Sequence, residues 1–410
     1  MPSRRTFLHA LPALAGCLTL PAVRAQSSSA WCATWGTAPA GPPPSASLQT
    51  FSNQTLRLIV HTSIPGNRVR VRLSNEMGSG PLRIGAAHIG VRSGGASLVA
   101  GSGRDLTFGG SSGATVAPGD PLVSDPVDFA VPALADLAVS LWLPGSTQAT
   151  SIHDLALQTN YVSVAGNYAG ANTLPVQRTL ASWPFLTEVD VTSAAGTPSA
   201  IVALGDSLTD GVRSTSNANR RWTDYLARRL RTETLPGSAP IAVVNRGISA
   251  NSLLTDYPTA LLSGRDALER FDRDVLATAG ARWLFVLIGI NDILYSSASS
   301  PVPAESLQAG WLQLIARART RGMQVIGTTL PPYEGHAYFT TARDAVRQRA
   351  NAWIRTSGAW DAVADFDAVL RDPGRPTRLL PAYDGGDHLH PNDPGYEAMA
   401  KAIPLGWFGV

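Results

Sequence analysis

The segment Ala200-Ile201-Val202-Ala203-Leu204-Gly205-Asp206-Ser207-Leu208 decides the fold of the C-terminal half of this 410-residue chain. Its first five residues form an unbroken apolar run, which is typical of a strand buried on both faces of a parallel sheet. Ser207 follows directly, where such a strand ends. Because sites in parallel sheets lie at the carboxyl ends of strands, we expect the chemistry of the protein to centre on this serine.

Three further apolar runs follow the same pattern, at 241–244, 283–288 and 323–327. Between and after them, apolar residues recur at the spacing of three and four that indicates amphipathic helices. The helices are predicted over about 218–232, 339–357 and 393–403, and around an apolar face made by Leu307, Trp311, Leu314, Ile315 and Ala318. Buried strands that alternate with amphipathic helices predict a three-layer α/β/α sandwich with a mostly parallel sheet.

The N-terminal part has a different pattern. Residues 68–74 alternate polar and apolar side chains, and 55–61 and 137–143 are also predicted to be strands. Short strands separated by glycine and proline turns favour an all-β sandwich. A small-residue linker at 192–198 separates the two patterns. We therefore predict a β-sandwich-like domain over 27–195 and an α/β domain over 196–410.

Residues 1–25 are typical of an export signal. Arg4 and Arg5 precede a moderately apolar stretch, in a pattern that resembles the twin-arginine signal, and Val23-Arg24-Ala25 offers a cleavage site. The protein is therefore expected to be periplasmic or extracellular, with no stable membrane insertion once the signal is removed. The alternative is a lipoprotein anchored through Cys17.

Composition argues against nucleic acid as a partner. The net charge is +3, and the predicted signal holds three arginines and no acidic residue, so the mature chain is close to neutral. Lys401 is the only lysine, and basic residues form no cluster that could follow a phosphate backbone.

Four short blocks carry a family resemblance. They are Gly205-Asp206-Ser207-Leu208, Asn245-Arg246-Gly247-Ile248-Ser249, Gly289-Ile290-Asn291-Asp292 and Asp387-His388-Leu389-His390-Pro391. In type and order they resemble the blocks of SGNH/GDSL hydrolases, and the resemblance covers about residues 200–395. The chain is similar to exported bacterial esterases and lipases of this family that carry an N-terminal β domain, and the resemblance implies the SGNH-type fold.

The resemblance also implies roles. Ser207 is the expected nucleophile, His390 the general base, and Asp387 the carboxylate that orients the imidazole. The N–H groups of Ser207 and Gly247 and the side chain of Asn291 are the expected oxyanion hole.

Two alternatives within the histidine block stay open. His388 competes with His390 as the base, although an extended loop would point its side chain elsewhere. Asp384 is the alternative to Asp387, whose position three residues before His390 fits the family's Asp-x-x-His block.

Other catalytic classes fit the sequence less well. An α/β-hydrolase would have Gly-x-Ser-x-Gly at the nucleophile, but Thr209 stands at the fifth position. Asp387, His388 and His390 lack the cysteine partners or the His-Glu-x-x-His helix of common metal sites. We therefore predict no metal and no cofactor.

The predicted function is that of a secreted serine esterase that hydrolyses carboxylic esters of small molecules or glycans. One alternative is an O-acetyl esterase acting on acetylated polysaccharide. Another is a non-catalytic glycan-binding protein with a vestigial hydrolase domain, in which Trp31, Trp35, Trp142 and Trp183 would line a sugar-binding face instead of packing in a core. Because all four blocks lie in the C-terminal domain, we expect the chemistry to belong to that domain alone.

Overall fold

A computed structural model of the chain describes residues 30–234, 237–256 and 262–409. The predicted export signal and the alternative lipid-anchor site at Cys17 lie outside these residues. In the described ranges, no helix has the length and apolar character needed to cross a membrane.

The N-terminal region is built from antiparallel strands. In chain order, β1 to β16 are Cys32–Gly36, Thr50–His61, Gly66–Ser74, Leu82–Ile84, Ala86–Gly94, Ser97–Leu98, Arg104–Leu106, Ala114–Val116, Pro121–Val123, Val127–Val131, Asp136–Gln148, Ile152–His153, Asn160–Ala165, Val176–Leu180, Trp183–Pro184 and Leu186–Thr192. One sheet has the order β1-β16-β3-β10, and β9 also pairs with β3. The other has the order β14-β13-β2-β11-β5-β6, and β7 also pairs with β5.

The two sheets share one apolar core. Val69 and Val71 of β3 alternate with partly exposed residues and pack in the same cluster as Leu56 and Leu58 of β2. Such alternation leaves one face of the strand for the core and the other for water. The predicted all-β sandwich is therefore confirmed.

The C-terminal region alternates strands and helices. Its strands β17 to β23 are Ser199–Gly205, Ile241–Gly247, Ala281–Leu287, Gln324–Thr328, Ala362–Ala364, Arg371–Asp372 and Arg375–Leu379. Its helices α1 to α8 are Ser207–Asp210, Trp222–Thr232, Ala267–Phe271, Ile290–Tyr295, Ala304–Arg319, Thr341–Thr356, Phe366–Leu370 and Asp393–Lys401. A π-helical turn, Asp272–Leu276, continues α3, and a 3₁₀ turn, Leu405–Phe408, follows α8.

Five of these strands form a parallel sheet in the order β18-β17-β19-β20-β21. Every residue of β17 from Ala200 to Gly205 is buried. Since successive side chains of a strand point to opposite faces, both faces of this sheet are covered, as the apolar runs predicted. The predicted α/β class is confirmed. The three-residue β21 was not among the predicted strands, because a run so short has no detectable period.

The two regions pack closely against each other. β1 lies against β18, the edge strand of the parallel sheet, and the Ala33 N–H donates to the Ala279 carbonyl at 3.0 Å. Arg246 of β18 forms a buried ion pair with Glu188 of β16. Ala242 of β18 belongs to the apolar cluster of the β sandwich. The β sandwich therefore covers part of the parallel sheet, and its apolar cluster includes residues of β17 and β18.

The four tryptophans considered for a sugar-binding face do not form one exposed surface. Trp35 and Trp183 are buried and meet edge to face, with ring centroids 5.0 Å apart. The indole of Trp142 donates to the Asn53 side chain, and Arg70 stacks on Trp31. Trp35 and Trp183 therefore pack in the core and do not line an exposed sugar-binding face.

The thiol of Cys32 is also buried. Burial, together with the nearby carboxylates of Asp190 and Glu188, raises its pKa well above the usual value. A thiol in such surroundings stays protonated, so Cys32 is a small packing residue and not a nucleophile.

Candidate active site

Ser207 stands where β17 gives way to α1, as predicted. Asp206 caps this short helix, and its side chain accepts a hydrogen bond from the Leu208 N–H at 3.0 Å. A side chain at Gly205 would lie 2.2 Å from the Thr209 hydroxyl, so only glycine allows this tight strand-to-helix turn. Ser207 is 5 % exposed. The turn therefore fixes the hydroxyl at the carboxyl edge of the parallel sheet.

His390 reaches the Ser207 hydroxyl from the other end of the domain. Its Nε2 lies 2.7 Å from Ser207 Oγ, and its Nδ1 lies 2.8 Å from Asp387 Oδ2. The other oxygen of Asp387 accepts the N–H groups of Leu389 and His390. The structure thus brings together the three residues assigned to the triad, in the order hydroxyl, imidazole, carboxylate.

His388 does not reach the serine. Its Nδ1 lies 2.5 Å from Asp384 Oδ2, and its side chain is 52 % exposed. The loop was expected to be extended at this position, but it is not. His388 has a φ of +64°, so the chain turns sharply there and directs the two histidines apart. Each histidine of the block thus has its own carboxylate, and Asp384 belongs to His388.

Asp387 carries more hydrogen bonds than an ordinary surface carboxylate. Burial alone would raise its pKa, but the hydrogen bonds and charge of His390 and the guanidinium of Arg213 outweigh burial and hold the pKa well below the usual range. Arg213 Nε donates to Asp387 Oδ2 at 2.9 Å. Asp387 is therefore ionised at neutral pH, as a group that stabilises an imidazolium must be.

Gly247 does not occupy the position expected of it. Its N–H donates to the side chain of Asn245 at 2.8 Å and is thus already satisfied. A Cβ on Gly247 would lie 2.3 Å from the Asp210 nitrogen, so the glycine lets β18 pack directly against α1. The expectation that the Gly247 N–H forms part of the oxyanion hole needs correction, because the residue serves close backbone packing.

The loop after β18 offers a different N–H group. Ala250 has a φ of +61°, a left-handed conformation that costs a residue with a Cβ about 1–2 kcal/mol. Its N–H has no hydrogen-bond acceptor among the described residues, and the same is true of the Ser207 N–H at the start of α1. Strain and an unpaired N–H beside the nucleophile are typical of an anion-binding position.

The same loop is fixed to the strand ends on both sides. The Ile248 N–H donates to the Gly205 carbonyl at 3.1 Å. Asn291, at the start of α4, donates from Nδ2 to the Asn251 carbonyl at 2.8 Å. Because an amide nitrogen carries two hydrogens, the second stays available to a ligand. Asn291 therefore lies beside the loop, as expected of an oxyanion donor.

A buried arginine, Arg270, contacts both the end of β17 and the loop after β18. Arg270 lies in the last turn of α3 and donates from Nη2 to the Gly205 carbonyl at 2.8 Å and from Nε to Asn251 Oδ1 at 3.0 Å. Its charge is balanced by Asp274, 3.0 Å away. Arg270 therefore holds the strand end before Ser207 and the loop with Ala250 in one arrangement.

Sequence reasoning missed three of these contributors. Arg213, Ala250 and Arg270 lie outside any recognisable spacing, and Ala250 directly follows a block whose glycine attracted the oxyanion assignment instead. The one signal that could have found Ala250 is its place in a polar loop after a buried strand. Among the described residues, no group of three or more His, Cys, Asp or Glu side chains is placed to hold a metal ion.

Comparison with known proteins bears on the same region. Residues 203–398 match the model of the GDSL-like lipase/acylhydrolase family, and this range contains all four blocks. The C-terminal domain of this chain belongs to that family. The matched range also contains Ser207, Asp387 and His390, the residues expected to form the triad.

Solved structures match about half of the chain. The inhibitor-bound aryl esterase of M. smegmatis is 18 % identical, covers 52 % of this chain and 99 % of its own, and has a TM-score of 0.40. An acetylxylan esterase from Geobacillus stearothermophilus is 23 % identical, covers 52 % and 94 %, and has a TM-score of 0.38. A search of curated proteins found no match.

Proposed function

We propose that this protein is an exported serine esterase that hydrolyses carboxylic esters through a covalent acyl-enzyme. One observation carries the proposal: His390 Nε2 lies 2.7 Å from Ser207 Oγ while its Nδ1 lies 2.8 Å from Asp387. These are hydrogen-bond distances between a nucleophile, a base and the group that orients the base.

In the first half of the reaction, Ser207 Oγ attacks the ester carbonyl carbon and its proton passes to His390 Nε2. The tetrahedral intermediate collapses, the bond to the alcohol oxygen breaks, and His390 returns the proton to the departing alcohol. Asp387 stays ionised throughout and stabilises the imidazolium. The acyl group remains on Ser207.

In the second half, a water molecule replaces the alcohol. His390 takes a proton from the water as its oxygen attacks the acyl carbon, and the bond to Ser207 Oγ breaks as the serine regains a proton. The products are a carboxylic acid and the free enzyme.

The negative charge of each intermediate needs donors that are already in place. We assign this role to three donors: the N–H groups of Ser207 and Ala250, which have no acceptor among the described residues, and the second amide hydrogen of Asn291. Such donors act mainly when the charge develops, and removing one costs about 3–4 kcal/mol of transition-state stabilisation.

Two measurements test the proposal. A fluorophosphonate should add one covalent label, which peptide mass spectrometry should locate on Ser207, and Ser207→Ala should abolish labelling. Rates on p-nitrophenyl esters of rising chain length should identify the preferred acyl group. A protein that takes no label and hydrolyses no ester would instead support a vestigial domain that only binds glycans.

A specific feature favours the O-acetyl esterase as second candidate. A cavity of about 310 Å³ lies beside the loop that carries His390, and Glu334, Arg378 and His388 line part of it. Charged side chains suit a hydroxyl-rich alcohol better than an apolar one. If this cavity holds the alcohol, acetate release from acetylated xylan should exceed hydrolysis of long-chain esters.

Export is part of the proposal and rests on the sequence of residues 1–25 alone. Expression of the full chain in a bacterial host, with and without Arg4→Lys and Arg5→Lys, tests it. The native chain should reach the periplasm or medium shortened near Ala25, whereas the double variant should remain inside. Processing at Cys17 with acylation would identify a lipoprotein.

A further inference from the structure

One residue of the β sandwich reaches the helix that begins at Ser207. His153, in β12, is 3 % exposed at its side chain, and its Nε2 lies 3.0 Å from Asp210 Oδ1 at the end of α1. The indole of Trp183, on the paired strand β15, packs against the imidazole with centroids 5.6 Å apart. A buried histidine of one domain therefore contacts a carboxylate of the other.

The surroundings of the ring decide its charge. Nδ1 faces the Ala38 carbonyl at 2.9 Å, and Nε2 faces Asp210 and the Leu155 carbonyl. Carbonyl and carboxylate oxygens are acceptors, and a ring with a proton on each nitrogen satisfies all of them. Burial lowers the pKa of His153, but the charge and hydrogen bond of Asp210 outweigh burial and the opposing charge of Arg221, so the net shift is upward.

Asp210, the partner of His153, also contacts the loop after β18. Its second oxygen, Oδ2, accepts the Ser249 N–H at 3.0 Å and the Ser249 hydroxyl at 2.9 Å. Ser249 directly precedes Ala250, the residue with a left-handed backbone and an unpaired N–H. Because this carboxylate accepts from both the N–H and the hydroxyl of Ser249, it fixes the backbone direction just before the left-handed residue Ala250.

We propose that His153 is a positioning residue for the oxyanion hole, which acts through Asp210 and Ser249 on the Ala250 N–H. The inference rests on the proposed esterase function. It makes the β sandwich a working part of the active site.

Other contacts hold the domains together without His153. The Arg246–Glu188 ion pair, the hydrogen bond from Ala33 to Ala279 and the shared apolar core all lie elsewhere in the interface. Loss of His153 should therefore leave the domains joined while Asp210 loses its partner. Misplacement of a reacting group by about 1 Å can cost roughly 100-fold in rate, so the effect should appear in kcat.

The experiment compares His153→Leu, His153→Gln and a control in the full-length protein. The control is His61→Leu. His61 is a partly buried histidine of the β sandwich, and its carboxylate partner, Asp136, lies in the same domain. Readouts are kcat and KM on p-nitrophenyl acetate, together with the melting temperature.

We expect His153→Leu to lower kcat by about 10- to 100-fold with KM within about threefold of the native value. His153→Gln keeps a donor near the Nε2 position and should recover much of the loss. His61→Leu should leave kcat unchanged even if it lowers the melting temperature. Ser249→Ala, a smaller change, should lower kcat in the same direction and covers the case in which His153→Leu does not fold.

Native kcat in a folded His153→Leu protein, or in Ser249→Ala if His153→Leu does not fold, would overturn the inference. So would a kcat loss that His61→Leu reproduces in proportion to its loss of melting temperature. Failure of the proposed function looks different, because the native protein would then hydrolyse no ester, or Ser207→Ala would keep the activity.

Discussion

The imidazole Nε2 of His390 lies 2.7 Å from the hydroxyl of Ser207, although 183 positions separate the two residues in the chain. Ser207 follows β17, which lies next to the edge strand β18 in the parallel sheet. His390 lies on the loop just before the last helix, α8. These two elements meet at the carboxyl edge of the sheet, and the proposed role of Ser207 as nucleophile depends on this contact.

The first prediction concerns this pair. Ser207→Ala should lower kcat on p-nitrophenyl acetate by several orders of magnitude, because it removes the oxygen that forms the proposed acyl-enzyme. Circular dichroism and melting temperature should stay near the native values, since the hydroxyl contributes little to the core. Ordinary esterase activity in this variant would refute the nucleophile assignment.

The two histidines of the loop should behave very differently. His390→Ala should be nearly as damaging to kcat as Ser207→Ala, and the double variant hardly worse than either, because the pair acts as one unit. His388→Ala is the matched control, since its ring contacts Asp384 and is half exposed. If His388→Ala proved the more damaging, the base assignment would be wrong.

Asn291→Ala removes one donor of the oxyanion hole. It should lower kcat by about 10²–10³ with a smaller effect on KM, because the donor acts where charge develops. The decisive measurement is the binding of a boronic acid that mimics the tetrahedral state. Equal losses for substrate and mimic would mean that Asn291 only positions the substrate.

Two glycine–alanine exchanges separate the roles of Gly247 and Ala250. Gly247→Ala places a Cβ 2.3 Å from the Asp210 nitrogen and should reduce both stability and kcat. Ala250→Gly keeps the N–H and relieves the strain of a positive φ, so it should retain most of kcat at similar or slightly higher stability. A well-folded, fully active Gly247→Ala protein would show that the close approach is dispensable.

Asp206 gives a prediction about pH. Burial, with the nearby charge of Asp292, raises the pKa of this fully buried carboxyl to about 8, against roughly 4 in an unfolded chain. Between these values the folded protein holds a proton that unfolding releases. The stability that this proton provides is fully present below about pH 4 and is lost as the pH rises toward 8.

Asp206→Asn removes this titration, because an amide does not ionise. Relative to the native protein, the variant should gain free energy of unfolding as the pH rises from 5 to 8, by up to about 1.4 kcal/mol per pH unit. Urea midpoints measured at each pH provide the test. A difference between the two proteins that does not change with pH would show that Asp206 is ionised in the folded state.

Local sequence was enough to predict the architecture. Unbroken apolar runs at 200–204 and 283–288 require a strand covered on both faces, and alternation at 68–74 requires one covered on a single face. Each of these hydrophobic patterns involves only a few neighbouring residues, so it can be recognised without knowledge of the rest of the chain. The same holds for Ser207, His390 and Asp387, which lie in short blocks that carry their own pattern.

Only the tertiary structure decided which groups complete the site. The Gly247 N–H is taken by Asn245, Ala250 presents a free N–H instead, and His153 arrives from the other domain. No local pattern marks these residues, because a hydrogen bond between distant segments depends on how whole domains pack. The sequence by itself therefore determined the fold class and predicted the three candidate reacting residues, whereas the contacts that hold the loop after β18 exist only once the β sandwich has docked on the parallel sheet.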